Sequence, residues 1–191
     1  MTAPAHPEDD VIRILLDQHA RIRELFTEVK SVSGVHRQQA FDELRALLAV
    51  HETAEEMILR PVAKETAGPL EADARNREEE AANRVLVMLE RLDVDSPDFD
   101  RTFLEFEQSV LRHAEHEERE EFPTVRAGRT PAELEDMGLK LRAAEKVAPT
   151  HPHPSTAGKP AAQWALGPFA SLVDRTRDAI DAAAHRPSRP R

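Results

Sequence analysis

The same pairing of histidine and glutamate occurs twice in this chain, 62 residues apart. His51 is followed four residues later by Glu55, and His113 is followed at the same distance by Glu117. Residues four apart on an α-helix project from one face, because four steps of about 100° return nearly to the starting direction. Imidazole nitrogen and carboxylate oxygen together suit first-row transition metals. The doubled pair therefore predicts a site for two metal ions.

Each pair is followed directly by a second glutamate, so the identity of the carboxylate has to be decided. Glu56 and Glu118 lie five residues after their histidines. A step of five turns a side chain roughly 140° away around the helix. We therefore expect Glu55 and Glu117 to be the ligands.

The composition restricts which donors a metal could use. The 191 residues include no cysteine, which excludes thiolate zinc sites and iron–sulfur clusters. Any metal must then be held by histidine and carboxylate. The formal charge of −10, from 36 acidic and 26 basic residues, disfavours nucleic acid and anionic membranes as partners.

The hydropathy and composition predict a cytoplasmic, all-α protein. No apolar run approaches the roughly 20 residues of a membrane helix, and the N-terminus lacks the apolar core of a signal peptide. Aromatic residues make up 4% of the chain, tyrosine is absent, and few segments resemble strands. We expect a monomer or a homodimer without nucleic-acid or membrane partners.

Four segments carry apolar residues at steps of three and four, the pattern of helices that bury one face. They are predicted at about 8–31, 38–62, 71–92 and 98–122, separated by short turns such as Ser33-Gly34. Helices of about 20 to 25 residues with short loops are typical of an up-down-up-down four-helix bundle. We assign that bundle to residues 1–125.

The rest of the chain is predicted to add C-terminal helices to the bundle. Thr130-Pro131-Ala132-Glu133 has the pattern of a helix start and places an additional helix within 126–148. A proline-rich linker is predicted over 149–167. A short helix followed by a disordered tail is predicted over 168–191.

Six residues of ligand type interrupt the apolar faces of the four predicted helices. Such positions face the bundle interior, where an unpaired carboxylate costs several kcal/mol and neighbouring carboxylates repel one another. Two divalent ions remove both problems, as they do in di-iron carboxylate bundles. The six residues are His19, His51, Glu55, Glu79, His113 and Glu117.

A plain helical bundle is the alternative without metal. A single histidine on an apolar face is more often a hydrogen-bonded core residue than a ligand, and a glutamate-rich stretch is usually solvated. Convergence favours the metal site. Every predicted helix contributes at least one ligand-type residue, and two helices do so with identical spacing.

These residues resemble the hemerythrin-like (HHE cation-binding) family, and the C-terminal extension is similar to that of actinobacterial members. The family pattern is a lone His on helix 1, His-x-x-x-Glu on helix 2, His on helix 3 and His-x-x-x-Glu on helix 4. The likeness covers about residues 8–125 and includes DQHARIRELF, LLAVHETAEEMILRPV and VLRHAEHEEREEFPTVR. One position departs from the pattern. An internal repeat aligns His19 with Glu79, so either Glu79 takes the place of the family's third-helix histidine or that ligand is missing.

The resemblance implies a pair of iron ions, bridged by oxo or hydroxo oxygen when oxidised. The hard carboxylate of Glu79 makes manganese a possible substitute. The resemblance also implies a partition of the ligands. The implied ligands are His19 and His51 on one ion, Glu79 and His113 on the other, and Glu55 and Glu117 bridging both.

The chemistry implied by the resemblance is the binding and reduction of dioxygen, peroxide or nitric oxide. Replacing an imidazole by the Glu79 carboxylate adds an anionic ligand, which stabilises ferric iron. This favours an oxidoreductase, acting in peroxide disproportionation or nitric oxide handling, over a reversible oxygen carrier. The alternative is an oxygen- or iron-binding sensor or carrier module without turnover.

Overall fold

The computed structural model describes residues 10–66, 77–78, 81–82 and 84–147. Within these ranges the chain is helical and contains no strand, which confirms the all-α prediction. Glu79 lies outside the described residues. So do the predicted linker, the predicted last helix and the tail, over 149–191.

The first half of the chain contributes three helices and the described part of a fourth. Helix α1 spans Val11–Ser31, and α2 spans Gly34–Ala54. One π-helical turn, Glu55–Leu59, joins α2 to α3, which spans Arg60–Thr66. Helix α4 is described over 84–89.

The second half repeats this arrangement. Helix α5 spans Pro97–His116, and a second π-helical turn, Glu117–Glu121, joins it to α6, Phe122–Gly128. Helix α7 spans Pro131–Val147 and corresponds to the additional helix predicted from the sequence.

Local hydrogen bonds explain where three of these helices begin. The carboxylate of Asp10 accepts the backbone N–H of Ile12 at 2.8 Å, and Ser96 Oγ accepts that of Phe99 at 3.1 Å. At the start of α7, Glu133 accepts the backbone N–H of Thr130 at 2.7 Å, and Thr130 accepts that of Glu133 at 3.3 Å. Each cap occupies backbone donors that have no partner within the helix.

Several helix boundaries differ from the prediction, and the helix predicted to end at residue 62 continues to Thr66. Helix α2 begins at Gly34 rather than near residue 38, because Gly34 adopts a φ of 59° and donates its N–H to Asp95 at 3.0 Å. The helix predicted to end at residue 122 continues to Gly128. Pro61 and Pro123 therefore do not end their helices. A proline ring crowds the preceding helical turn, and in both cases that turn is the wider π form.

Two apolar clusters form the core. The aromatic cluster is built around five buried phenylalanines, whose nearest ring centroids lie 5.2 to 5.3 Å apart. The second cluster, here called the aliphatic cluster, combines the start of α1 with α3, α6 and α7. Its buried members include Ile14, Leu15, Leu59, Ala63, Phe122, Val125, Leu134 and Leu141.

Polar side chains separate the two clusters along the helices. On α1, residues up to Leu15 belong to the aliphatic cluster and residues from Ile22 onward to the aromatic cluster. Gln18 and His19 lie between them and are 6% and 2% exposed. His51 occupies the same intermediate place on α2. Among the described helices, none combines the length and apolar character that crossing a bilayer requires.

Substitution of Leu141 tests whether α7 belongs to the core. Leu141 is 1% exposed within the aliphatic cluster, so Leu141→Ala should lower the free energy of unfolding by about 2 to 4 kcal/mol. Leu139, on the same helix, is 60% exposed and provides the control. Leu139→Ala should change the free energy by less than about 0.5 kcal/mol. Equal effects in denaturant titrations would contradict the packing of α7 on the bundle.

Candidate metal site

Four buried side chains of ligand type converge between the two apolar clusters. They are His19 on α1, His51 on α2, Glu55 at the start of the first π turn and Glu117 at the start of the second. One donor atom of each lies within 4.8 Å of the donor atoms of the others. All four are buried, and both glutamates are 0% exposed. We call these four residues the polar layer.

The distances between donor atoms fit metal ions. The Nε2 atoms of His19 and His51 lie 3.1 Å apart, and Nε2 of His19 lies 3.5 Å from Oε2 of Glu117. Nε2 of His51 lies 3.5 Å from Oε1 of Glu55. Two ligands of one ion with bonds of about 2.1 Å lie about 3.0 to 3.5 Å apart. The same atoms could therefore bind an ion with little movement.

His113 lies at the edge of the polar layer. Its Nε2 is 3.2 Å from Oε1 of Glu117, and its side chain is 12% exposed. Within the described part of the chain, neither carboxylate oxygen of Glu117 accepts a hydrogen bond of standard geometry. A fully buried carboxylate needs a compensating positive charge, and a bound cation could supply it. The residues present therefore fit a metal site.

Each π turn begins at the glutamate of a His-x-x-x-Glu pair. The backbone N–H of Arg60 bonds to the carbonyl of Glu55, and that of Phe122 bonds to the carbonyl of Glu117. These five-residue steps add one residue to each helix directly after the ligand-type glutamate. Single π turns inside α-helices occur frequently at functional sites. Here they occur twice, at equivalent positions of the repeat.

Side chains outside the polar layer hold the rings of His19 and His51. Nδ1 of His51 donates to Oε1 of Gln18 at 2.7 Å, and Nδ1 of His19 donates to Oε1 of Glu118 at 2.8 Å. The same Glu118 oxygen accepts from Arg23 at 2.8 Å. Because Nδ1 is occupied on both rings, Nε2 is the nitrogen left for the interior.

Glu78 holds the third histidine in the same way. Its Oε2 accepts from Nδ1 of His113, and its Oε1 accepts from Nδ1 of His116, both at 3.1 Å. The side chain of His116 is 35% exposed. His116 is thus a neighbour of the site rather than a member of the polar layer, and Nε2 of His113 faces Glu117.

The structure brings together five of the six residues singled out from the sequence. Glu117 is buried and faces the interior, whereas Glu118 has a side chain 27% exposed and contacts the outer face of His19. The carboxylate favoured from helix geometry is therefore the interior one in this pair. The side chain of Glu56 and the whole of Glu79 lie outside the described residues.

Sequence reasoning missed four residues of the site: Gln18, Glu78, Arg60 and Glu121. Gln18 and Glu78 contact ligand-type histidines from other helices, so no spacing within one helix marks them. Arg60 and Glu121 are each 2% exposed, and Nη1 of Arg60 donates to Oε2 of Glu121 at 2.8 Å. Arg60 follows Glu55 by five residues, which in a regular helix would turn it away from the glutamate, so the π turn is needed to bring it to that side. Glu121 follows Glu117 by four residues, so the spacing used for the His–Glu pairs could have found it.

Burial and charge set the protonation of the polar layer. Burial, reinforced by the neighbouring His19, lowers the pKa of His51 to about 3, so this ring is neutral. Burial alone would raise the pKa of Glu117. The charge of His113 and contacts with His113 and His19 outweigh burial and lower it well below its ordinary value. Both residues are therefore in the protonation state that a metal requires.

His113 is in the opposite state. Burial alone would lower its pKa, but the Glu117 carboxylate, followed by Glu78 and Glu55, raises it to about 11. The ring is therefore cationic at neutral pH when no metal is bound. Its charge faces Glu117 and compensates the buried carboxylate. A metal ion would take over that role.

Substitution of Gln18 tests the outer support of the site. Gln18→Ala removes the acceptor that orients His51, and the loss of such a partner typically weakens metal binding about 10- to 100-fold. Gln38, an exposed residue of α2 that donates to Asp42 at 3.0 Å, provides the control. Gln38→Ala should leave the affinity unchanged. Chelator competition with ferrous iron measures both, and equal affinities in the two variants would contradict a supporting role for Gln18.

The charge state of His113 predicts the pH dependence of metal binding. The ring must lose its proton to bind a metal, and its pKa of about 11 lies above neutral pH. The affinity should therefore rise with pH, by about tenfold per unit between about pH 6 and 8, with about one proton released from this residue. Calorimetry in buffers of different ionisation enthalpy counts the protons. An affinity independent of pH in this range would be inconsistent with a cationic His113.

Comparison with known proteins identifies the family of this chain. The family model of the hemerythrin HHE cation-binding domain matches residues 10–125. A hemerythrin-like protein of Schizosaccharomyces pombe is 25% identical over 137 residues, which cover 70% of this chain and 68% of the relative.

A solved structure shares the fold and confirms the predicted bundle. It is the crystal structure of a hemerythrin HHE cation-binding domain-containing protein from Mycobacterium kansasii, with a TM-score of 0.66 and 22% identity. The match covers 87% of this chain and 98% of that one. With the family model covering more than half of the sequence, this chain belongs to the hemerythrin HHE cation-binding domain family.

Proposed function

We propose that the protein is a non-haem di-iron protein that binds a small diatomic molecule or peroxide and reduces it. The observation that carries the proposal is the convergence of buried imidazole and carboxylate donors in the polar layer. Each of the three histidines has Nδ1 occupied from outside and Nε2 directed at its neighbours. A purely structural polar layer would not need all three rings in that orientation.

The proposed ligand set follows from the sequence repeat and the observed contacts. Imidazoles suit iron, zinc and copper, and carboxylates suit harder ions including manganese, so the mixed set fits iron with manganese as a substitute. Two iron ions would supply one-electron redox steps to a bound ligand. The ligand set comprises His19, His51, Glu55, His113 and Glu117, with Glu79 as the sixth residue by its place in the repeat.

A small cavity beside the polar layer supports a small ligand. It has a volume of about 20 Å³ and is lined by three histidines, by Glu52 and by apolar side chains. The histidines are His19, His51 and His113, and the apolar residues include Ile22, Leu48, Ala82 and Val110. A volume of about 10 to 15 Å³ on this measure holds one water molecule. The cavity therefore suits a molecule of two or three atoms. Its apolar wall limits access of water to the reacting end of the site.

The ligand composition favours redox turnover over reversible carriage. Two interior carboxylates, Glu55 and Glu117, belong to the site, and Glu79 would add a third. Anionic oxygen ligands stabilise the ferric state, which works against a stable oxygenated ferrous form. Peroxide disproportionation, in which two hydrogen peroxide molecules give two waters and one dioxygen, is compatible with such a site. Nitric oxide handling is the other candidate reaction.

Metal content and spectrum test this function in one preparation. The protein from iron-supplemented cells should contain about two iron ions per chain and show visible charge-transfer bands that change on addition of peroxide. His113→Ala should lose iron and the release of dioxygen from peroxide, because it removes an interior donor. His36→Ala removes an exposed histidine of α2 and should behave as the wild type.

The outcomes separate the candidate functions. Less than about half an iron per chain would contradict the di-iron proposal. A reversible oxygenated spectrum without turnover would show that the protein is a carrier or sensor instead. Glu79→Ala should empty or weaken one iron position. An unchanged iron count and spectrum in that variant would remove Glu79 from the ligand set.

A further inference from the structure

An ion pair that is almost fully buried lies beside the polar layer. Nη1 of Arg60 donates to both carboxylate oxygens of Glu121, at 3.0 and 2.8 Å. Nη2 of the same guanidinium lies 3.5 Å from Oε1 of Glu117. The two side chains are 3% and 2% exposed. Arg60 therefore contacts one carboxylate of the pair and approaches one carboxylate of the proposed metal site.

The two π turns place this pair. Arg60 directly follows the turn that begins at Glu55, and Glu121 is the last residue of the turn that begins at Glu117. The ion pair thus joins the far ends of the two turns whose first residues belong to the polar layer. The sequence neighbours of the pair, Leu59 before Arg60 and Phe122 after Glu121, belong to the aliphatic cluster.

Stability alone is a weak explanation for such a pair. Removing two charges from water costs several kcal/mol per ion, and apolar residues of similar volume often replace a buried pair without loss of stability. The surrounding cluster is already apolar. What an apolar pair could not provide is a fixed positive charge beside Glu117.

We propose that Arg60 is a positioning residue for the Glu117 carboxylate and that Glu121 restrains it. Held by Glu121, the guanidinium orients Glu117 and exerts its charge on the site without forming a full ion pair with that carboxylate. A nearby positive charge opposes cation binding and favours the reduced form of a redox site. The inference rests on the proposed function, since it concerns the metal that Glu117 would bind.

Two variants should shift metal binding in opposite directions. Arg60→Met combined with Glu121→Met removes the pair and leaves His113 as the cation that faces Glu117. The affinity of this double variant for ferrous iron should tighten about tenfold. Ferric iron carries one more positive charge and should gain about tenfold more than ferrous iron, so the midpoint potential should fall by about 59 mV, the one-electron equivalent of that further tenfold. Glu121→Gln leaves Arg60 charged and free to pair with Glu117, so the affinity should weaken about tenfold.

The control is a second interhelical ion pair in the same bundle. Arg45 donates to Glu90 at 2.6 Å, with side chains 15% and 12% exposed, and neither residue belongs to the polar layer. Arg45→Met combined with Glu90→Met should change neither affinity nor potential. All variants are compared by anaerobic chelator competition with ferrous iron, by spectroelectrochemistry and by thermal unfolding.

Opposite shifts in the two variants identify a positioning role, because simple loosening of the fold would weaken binding in both. Weaker binding in both variants, or unchanged affinity and potential in the double variant, would overturn the inference while the wild type still holds its iron. A wild type that binds no iron would overturn the proposed function and this inference together. The double methionine variant keeps the test valid if Glu121→Gln does not fold.

Discussion

Two fully buried carboxylates, Glu55 and Glu117, are the constraint on which the rest of the structure depends. An uncompensated buried charge costs several kcal/mol, so each neighbour has to help to neutralise or fix it. His113 supplies positive charge at 3.2 Å from Glu117, and Arg60 supplies more at 3.5 Å. The apolar clusters on either side keep water out, which makes these interactions stronger and their loss more costly.

The helices meet this constraint with the same backbone device in both halves of the repeat. A π turn follows each His-x-x-x-Glu pair, and a proline follows each turn. The extra residue changes which side chains face inward beyond the glutamate. Ala63 is 1% exposed, whereas Val62, the residue expected from a regular helical period, is only partly buried. Because of the extra residue, Arg60 at the start of α3 lies on the same side of the helix as Glu55 at the start of the π turn.

The sequence predicts interior positions where a helix is regular and fails beyond a π turn. The interior positions of His19, His51 and Glu117 were predictable because a regular helix fixes the angle between residues three and four apart. The preference for Glu117 over Glu118 used that angle counted from His113, and the helix is regular over α5 up to His116. The same argument would place Arg60 about 140° away from Glu55, and it fails there because a π turn lies between them. Gln18 and Glu78 could not be predicted for a different reason, since their roles depend on contacts between helices.

The position of the polar layer separates the stability of the fold from the chemistry of the site. Each apolar cluster is packed from several helices on its own side, and α7 contributes Leu134, Met137 and Leu141 to one of them. In metal-free protein, the cationic His113 and Arg60 compensate the carboxylates, so we expect folding not to require metal, unlike that of a zinc finger. A bound metal would then add stability only by mass action, after displacing the proton of His113. His113 and Arg60, which compensate the carboxylates in the absence of metal, are therefore the cations with which a metal must compete. Glu121 limits that competition by holding Arg60 away from Glu117.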